Sequence, residues 1–262
     1  MSLPLAESRT LLRRTAAALL MALSVVMPAP ADTLTVALAA SVQYPFEALS
    51  AAFTRASGHT LQRVVGSSGK LSAQIANGAP YDVFLSADME FPAALFRQGL
   101  TSAAPRPYAY GQLVLWTMRS DLDLKNWQAT LTSNTVRKIA IANPKLAPYG
   151  EESLRALAFY KLDHAVRPKL VFGENIGQTN QYIHSTSADL GFTAKSVVVA
   201  PEMAGQGRWI DVPASAYQPV AQGFVILRRG MQAHPAAAGA FHAFLFGPQA
   251  RAIFAQYGYL LP

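Results

Sequence analysis

The chain contains no cysteine. That absence excludes disulfides, thiolate nucleophiles, zinc–thiolate centres and iron–sulfur clusters together. It does not decide the compartment. Charge is scarce as well: 14% of residues are Asp, Glu, Lys or Arg. No basic run with interleaved aromatics occurs, so the net charge of +7 does not point to nucleic acid. The five histidines (His59, His164, His184, His234, His242) are scattered, and no two share a close metal-ligand spacing. Beyond residue 31 no 18 consecutive uncharged apolar residues occur, so no later segment reads as a membrane span. Fixed-period repeats and low-complexity tracts are missing too.

Enzyme signatures are equally scarce. Gly66–Lys70 reads GSSGK, but Val64 and Leu71 stand where a P-loop needs Gly and Ser or Thr. Gly205-Gln206-Gly207 lacks a third glycine at Ile210, so it is no dinucleotide fingerprint. There is no G-x-S-x-G nucleophile elbow. Asp82 and Asp88 flank one apolar stretch, where structural strand-end roles are expected rather than a catalytic pair. Catalytic residues are therefore none, and no cofactor is indicated.

What is present is apolar material: 51% of 262 residues are hydrophobic, enough for a substantial core and too much for intrinsic disorder. Part of it belongs to a leader. Arg9, Arg13 and Arg14 precede an apolar run from Thr15 to Met27, followed by Pro28-Ala29-Pro30-Ala31. This is the pattern of a secretory signal peptide with cleavage after Ala31. The run is short for an uncleaved anchor, and the twin-arginine consensus around Arg13-Arg14 is poor. The expected mature protein is exported, and it loses two units of positive charge with the leader's three arginines and one glutamate.

The mature chain alternates strands and helices. Thr33–Ala40 reads as a buried strand. Phe46, Leu49 and Phe53 give one helical face, with Pro45 in the first turn and Gly58 as the stop. Strands are expected at 61–65, 81–85, 112–118, 138–142, 169–172, 190–193, 208–212 and 220–227. Helices follow at 71–76, around Leu95, at 151–160, 176–185, 236–245 and 248–257. This pattern implies parallel βαβ units. The expected fold is α/β in two lobes, each a mixed sheet flanked by helices. The first lobe begins at 32–112, the second is 113–218, and 219–262 returns to the first. The strands near 112–118 and 220–227 are expected to be the crossings.

Small polar residues gather at strand-to-helix junctions: Ser41, Ser67-Ser68-Gly69, Tyr149-Gly150 and Asn175-Ile176-Gly177. At each, the first helical N–H groups lack partners and the helix dipole adds partial positive charge. Several such ends aimed at one cleft would bind an oxyanion without Lys or Arg. A lone serine at such a junction is more often a simple N-cap; the oxyanion reading rests on several junctions together. Lys70 reads as a solvated residue at a helix start, with long-range anion steering as the alternative. Trp116, Trp127 and Trp209 read as packing or rim residues, and Ala236–Ala240 with Phe241, Phe244 and Leu245 as core.

These residues resemble the periplasmic molybdate-binding proteins of ABC importers. The resemblance spans nearly the whole mature chain. It is carried by AAS at Ala39–Ser41, GSSGKL at Gly66–Leu71, QIANGAPYDVFLSAD at Gln74–Asp88, NPKLAPYG at Asn143–Gly150, ADLGF at Ala188–Phe192 and GPQARAIFAQYGY at Gly247–Tyr259. It implies a type II periplasmic-binding-protein-like fold, with two lobes joined by two hinge segments and an oxyanion clamped between them. By motif, it implies hydroxyl donors at Ser41 and Ser68 and backbone N–H donors at Tyr149 and Ile176, with the backbone of Ala40 as an additional contact. Molybdate or tungstate would be held through its oxygens, without direct bonds from protein to metal. Many members carry a tyrosine two positions after the LGF-like stretch; this chain has Ala194, as in a branch with APYG in the third loop. The implied partner is an inner-membrane ABC permease, the implied compartment the periplasm, and the implied state a monomer that is not an enzyme. A same-fold binder of sulfate, an organic acid or a metal cation is the alternative, and a periplasmic enzyme or sensory module a more distant one.

Overall fold

The computed structural model describes residues 31–262; the expected leader, Ala31 apart, lies outside the described residues. Among the described residues ten strands form: β1 (Thr33–Ala39), β2 (Thr60–Gly66), β3 (Val83–Leu85), β4 (Arg106–Gly111), β5 (Leu113–Thr117), β6 (Ile139–Ala142), β7 (Leu170–Gly173), β8 (Leu190–Ala194), β9 (Arg208–Asp211) and β10 (Val220–Ile226). They make two five-stranded sheets with matching layouts, β2-β1-β3-β10-β4 and β7-β6-β8-β5-β9. In the first, β1 runs parallel to β2 and β3, while β10 is antiparallel to β3 and β4. In the second, β6 runs parallel to β7 and β8, while β5 is antiparallel to β8 and β9. Both sheets are mixed and flanked by helices, as the alternation of the sequence implies.

Period-two burial explains why both faces are covered. Leu34, Val36 and Leu38 belong to the same cluster as Phe46, Leu49 and Phe53 of the Gln43–Ser57 helix, whereas Ala37 joins Leu71, Ile75, Phe84 and Leu95. In the second sheet Leu113 and Leu115 join the first cluster with Trp127 and Leu157, while Val114 and Trp116 pack with Ala140 and Ile183. Each fully buried side chain of this size contributes about 1.5–3 kcal/mol relative to exposure. The Gln43–Ser57 helix ends where expected, on Gly58 at φ 77°, a left-handed position that glycine occupies without strain.

Several readings need correction, and the short helices Asp163–Val166, Lys195–Val198 and Arg228–Ala233 also form where no element was expected. Neither strand taken for a crossing crosses. Residues 113–117 lie wholly in the second sheet and residues 220–226 wholly in the first; the chain passes between sheets at Gly111–Leu113 and in the segment from Asp211 to Val220. The strand Arg106–Gly111 and the short helix Trp127–Thr132 form where no element was expected. The polar, Pro-containing RPYAYG lacks a strand signature, and becomes a strand because β10 pairs along it.

No described helix is long and apolar enough to cross a membrane.

Candidate functional site

Four strands point their carboxyl ends at one place. β1 leads through the 3-10 turn Ala40–Val42 into the Gln43–Ser57 helix, and β2 leads through Ser67 into the helix Ser68–Ala76. From the other sheet, β6 leads to the helix Pro148–Phe159 and β7 to the helix Ile176–His184. Open α/β sheets bind ligands at this edge. A small cavity lies there, and Ala40, Ser41, Ser68, Tyr149 and Ile176 all line it. All five are buried. The fold thus gathers the sequence-derived candidates from both sheets into one place.

The donors can be read individually. Ser41 Oγ is buried without a hydrogen-bond partner among the described residues. Ser68 Oγ accepts the Ala87 N–H at 2.9 Å, so its own proton is left to donate. Ile176 is the first residue of its helix, and the preceding Asn175 caps it by accepting the Gln178 N–H at 3.1 Å. Tyr149 follows Pro148 at the start of its helix. Both N–H groups belong to first turns, where no helical carbonyl can reach them. None of the lining residues carries a formal charge. The cavity is therefore a donor set of dipoles, suited to an anion whose oxygens all accept.

Ser67 was placed at this junction by sequence but not among the binding residues. It lines the cavity, and its Oγ is buried without a partner among the described residues. Its identity with the adjacent Ser68 gave no signal to separate them. Ala194 ends β8, is buried opposite Leu113 and does not line the cavity. Tyr149 sends its phenol away from the donor edge: a Cβ at Gly111 would collide with its hydroxyl. That hydroxyl too has no partner among the described residues, and burial pushes its pKa up.

The two sides meet beside the cavity. Gly69 N–H donates to the Leu146 carbonyl at 2.9 Å. A Cβ on Gly69 would lie 3.2 Å from that backbone and 2.9 Å from the Phe91 ring, so glycine permits this approach. Lys70 is exposed at its helix start, as read from the sequence, and its Nζ also pairs with Glu174 at 2.6 Å. A second cavity is lined by Asp88, Glu90, Glu151, Glu152 and Arg155. Burial there raises the Asp88 pKa to about 6, against hydrogen bonds from Ser86 and the Phe91 amide. Asp82 is separate: its carboxylate accepts the Thr35 N–H at 2.7 Å and pairs with Arg229, a structural tie. Among the described residues no His, Asp and Glu group is arranged to hold a metal ion.

Two mixed sheets with a donor-lined cavity between their carboxyl edges define a solute-binding protein, and the chain belongs to the bacterial extracellular solute-binding protein family, whose pattern matches residues 34–260. Its relatives narrow this. Molybdate-binding protein ModA of Azotobacter vinelandii is 38% identical over 88% of this chain and 91% of its own length. ModA of Rhodobacter capsulatus is 35% identical over 95% of this chain and 96% of its own. Among solved structures, the periplasmic molybdate-binding protein of Azotobacter vinelandii superposes with a TM-score of 0.81 at 36% identity, covering 87% of this chain and 99% of that one.

Proposed function

We propose that this chain captures molybdate, and tungstate with it, and delivers it to an inner-membrane ABC permease. The observation that carries the reading is the cavity itself: uncharged donors from both sheets, with the Ser41 hydroxyl unpartnered and the Ser68 proton unspent. Ser41 and Ser68 donate hydroxyls, Tyr149 and Ile176 donate backbone N–H groups, and the backbone of Ala40 adds a contact. The donors bond to the oxygens of the anion, and no side chain bonds to its metal. A dianion that keeps no proton at neutral pH accepts at every oxygen. Protonated phosphate would set an O–H against a donor and leave buried groups unpaired.

The working cycle is hinge closure. Residues 32–112 with 219–262 form one lobe and 113–218 the other, joined at Gly111–Leu113 and near 212–219. The anion bonds to both lobes and shifts the population toward the closed form. The protein acts as a monomer in the periplasm, after cleavage following Ala31; it performs no covalent chemistry and needs no cofactor.

Calorimetric titration with molybdate, tungstate, sulfate and phosphate tests this. Tight binding of the first two is expected, with phosphate silent. Sulfate binding without molybdate binding would replace the ligand, and no response to any oxyanion would reject the reading. Mass spectrometry of the exported protein should find Asp32 at the N-terminus.

A further inference from the structure

Behind the cavity, the Ser41 carbonyl meets two hydroxyls from distant parts of the chain. Ser196 Oγ donates to it at 2.8 Å, and Tyr259 Oη donates at 2.8 Å. All three residues are buried. The reason lies in the sequence. Ser41 stands just before a helix, where its carbonyl would ordinarily accept the N–H four residues on. That residue is Pro45, which has no N–H. A buried carbonyl without a donor is costly, and the two hydroxyls fill both of its lone pairs.

Both hydroxyls are themselves tied to the joint between the sheets. Lys195 N–H, next to Ser196, donates to the Gln112 carbonyl at 2.9 Å. Gln112 Nε2 donates to the Gly258 carbonyl, next to Tyr259, at 2.6 Å. Leu260 and Tyr110 exchange backbone hydrogen bonds at 2.9 and 2.7 Å.

We infer that Ser196 and Tyr259 are positioning residues for anion capture, a clamp that fixes the Ser41 peptide from behind while its Oγ stays free for the ligand. Their own protons are spent on the carbonyl, so they act through Ser41. The inference rests on the oxyanion reading of the cavity. It assigns a role to Tyr259, which the motif reading placed only in a tail signature, and to Ser196, which no motif singled out.

The test is titration of sodium molybdate into the full mature chain and its variants. Ser196→Ala and Tyr259→Phe should each weaken binding about 3- to 10-fold, the worth of one hydrogen bond. The double variant should lose more than the product of the two, because only then is the carbonyl left without a side-chain donor. Ser196→Thr, which keeps the hydroxyl, should restore wild-type affinity. Tyr108→Phe is the control: Tyr108 is buried and packs against Phe254, which also packs against Tyr259, but its hydroxyl faces Ser86, so affinity should hold. A folded double variant with wild-type affinity would overturn the clamp, as would an equal loss in Tyr108→Phe. Should the double variant not fold, the single variants decide, and no weakening in either overturns the clamp. Failure of the wild type to bind any oxyanion removes the function and the clamp together; molybdate binding with unaffected variants removes the clamp alone.

Discussion

The Ala87 N–H donates to Ser68 Oγ at 2.9 Å, and this bond makes the two cavity serines unequal. Ser41 Oγ has no partner among the described residues, so Ser41→Ala removes nothing from the ligand-free fold. Its stability should stay level or rise by up to about 1 kcal/mol, while anion binding loses about 1–3 kcal/mol. Ser68→Ala should lose a similar amount of binding and also destabilise the ligand-free protein by about 1–3 kcal/mol, because the Ala87 N–H is stranded. Calorimetry and urea unfolding on both variants separate the effects. Equal stability losses would contradict this assignment of the bonds.

Tyr149 is expected to serve through its backbone. Its phenol reaches toward Gly111 and Gln222 rather than the donor edge, and the hydroxyl is buried without a partner among the described residues. Tyr149→Phe should therefore leave molybdate affinity within about twofold and stability unchanged or up to about 1 kcal/mol higher. A tenfold loss of affinity would make the phenol the donor instead.

The sequence shows the junctions clearly and their neighbours poorly. Ser41, Ser68, Tyr149 and Ile176 all follow strands, and parallel strands bring their ends to a common edge, so local pattern suffices to gather them. Gly58 ends its helix for a local reason too, its left-handed φ. Other features depend on partners far along the chain. Arg106–Gly111 is a strand because residues more than a hundred positions later pair with it. The bond between Ser196 and Ser41 spans 155 positions, and the pair of Lys70 and Glu174 spans 104. No periodicity encodes such meetings; they arise when two sheets are brought together.

Lys70 and Glu174 join the two sides at 2.6 Å with side chains 51% and 43% exposed. An exposed pair of this kind is worth about 0.2–1 kcal/mol. Lys70→Ala and Glu174→Ala should each speed anion release by no more than about fivefold, and the effect should fade at about 0.5 M salt. Stopped-flow dissociation checks this. If Glu174→Ala instead tightens binding, Lys70 acts by attracting the anion rather than by latching the sides.

Asp88 supplies a pH dependence. Its carboxyl lies in the acidic cavity beside the binding edge, and burial raises its pKa from 3.8 to about 6. Below pH 3.8 the group is protonated whether folded or not, so it imposes no penalty. Between there and about pH 6 the unfolded chain releases the proton while the folded chain keeps it. Stability therefore falls as pH rises through this window, and the penalty is constant above it. A shift of this size corresponds to at most about 3 kcal/mol, and solvent in the cavity reduces it to about 1–2 kcal/mol. Asp88→Asn keeps an acceptor for the Ser86 hydroxyl at 2.9 Å and the Phe91 N–H at 3.2 Å and cannot ionise. It should be more stable than wild type by that amount at about pH 7.5 and gain nothing at about pH 4. Molybdate should also bind it more tightly at neutral pH, since a negative charge close to the dianion is gone. Urea unfolding at the two pH values decides the matter: a stability difference independent of pH would mean that Asp88 does not carry the titration.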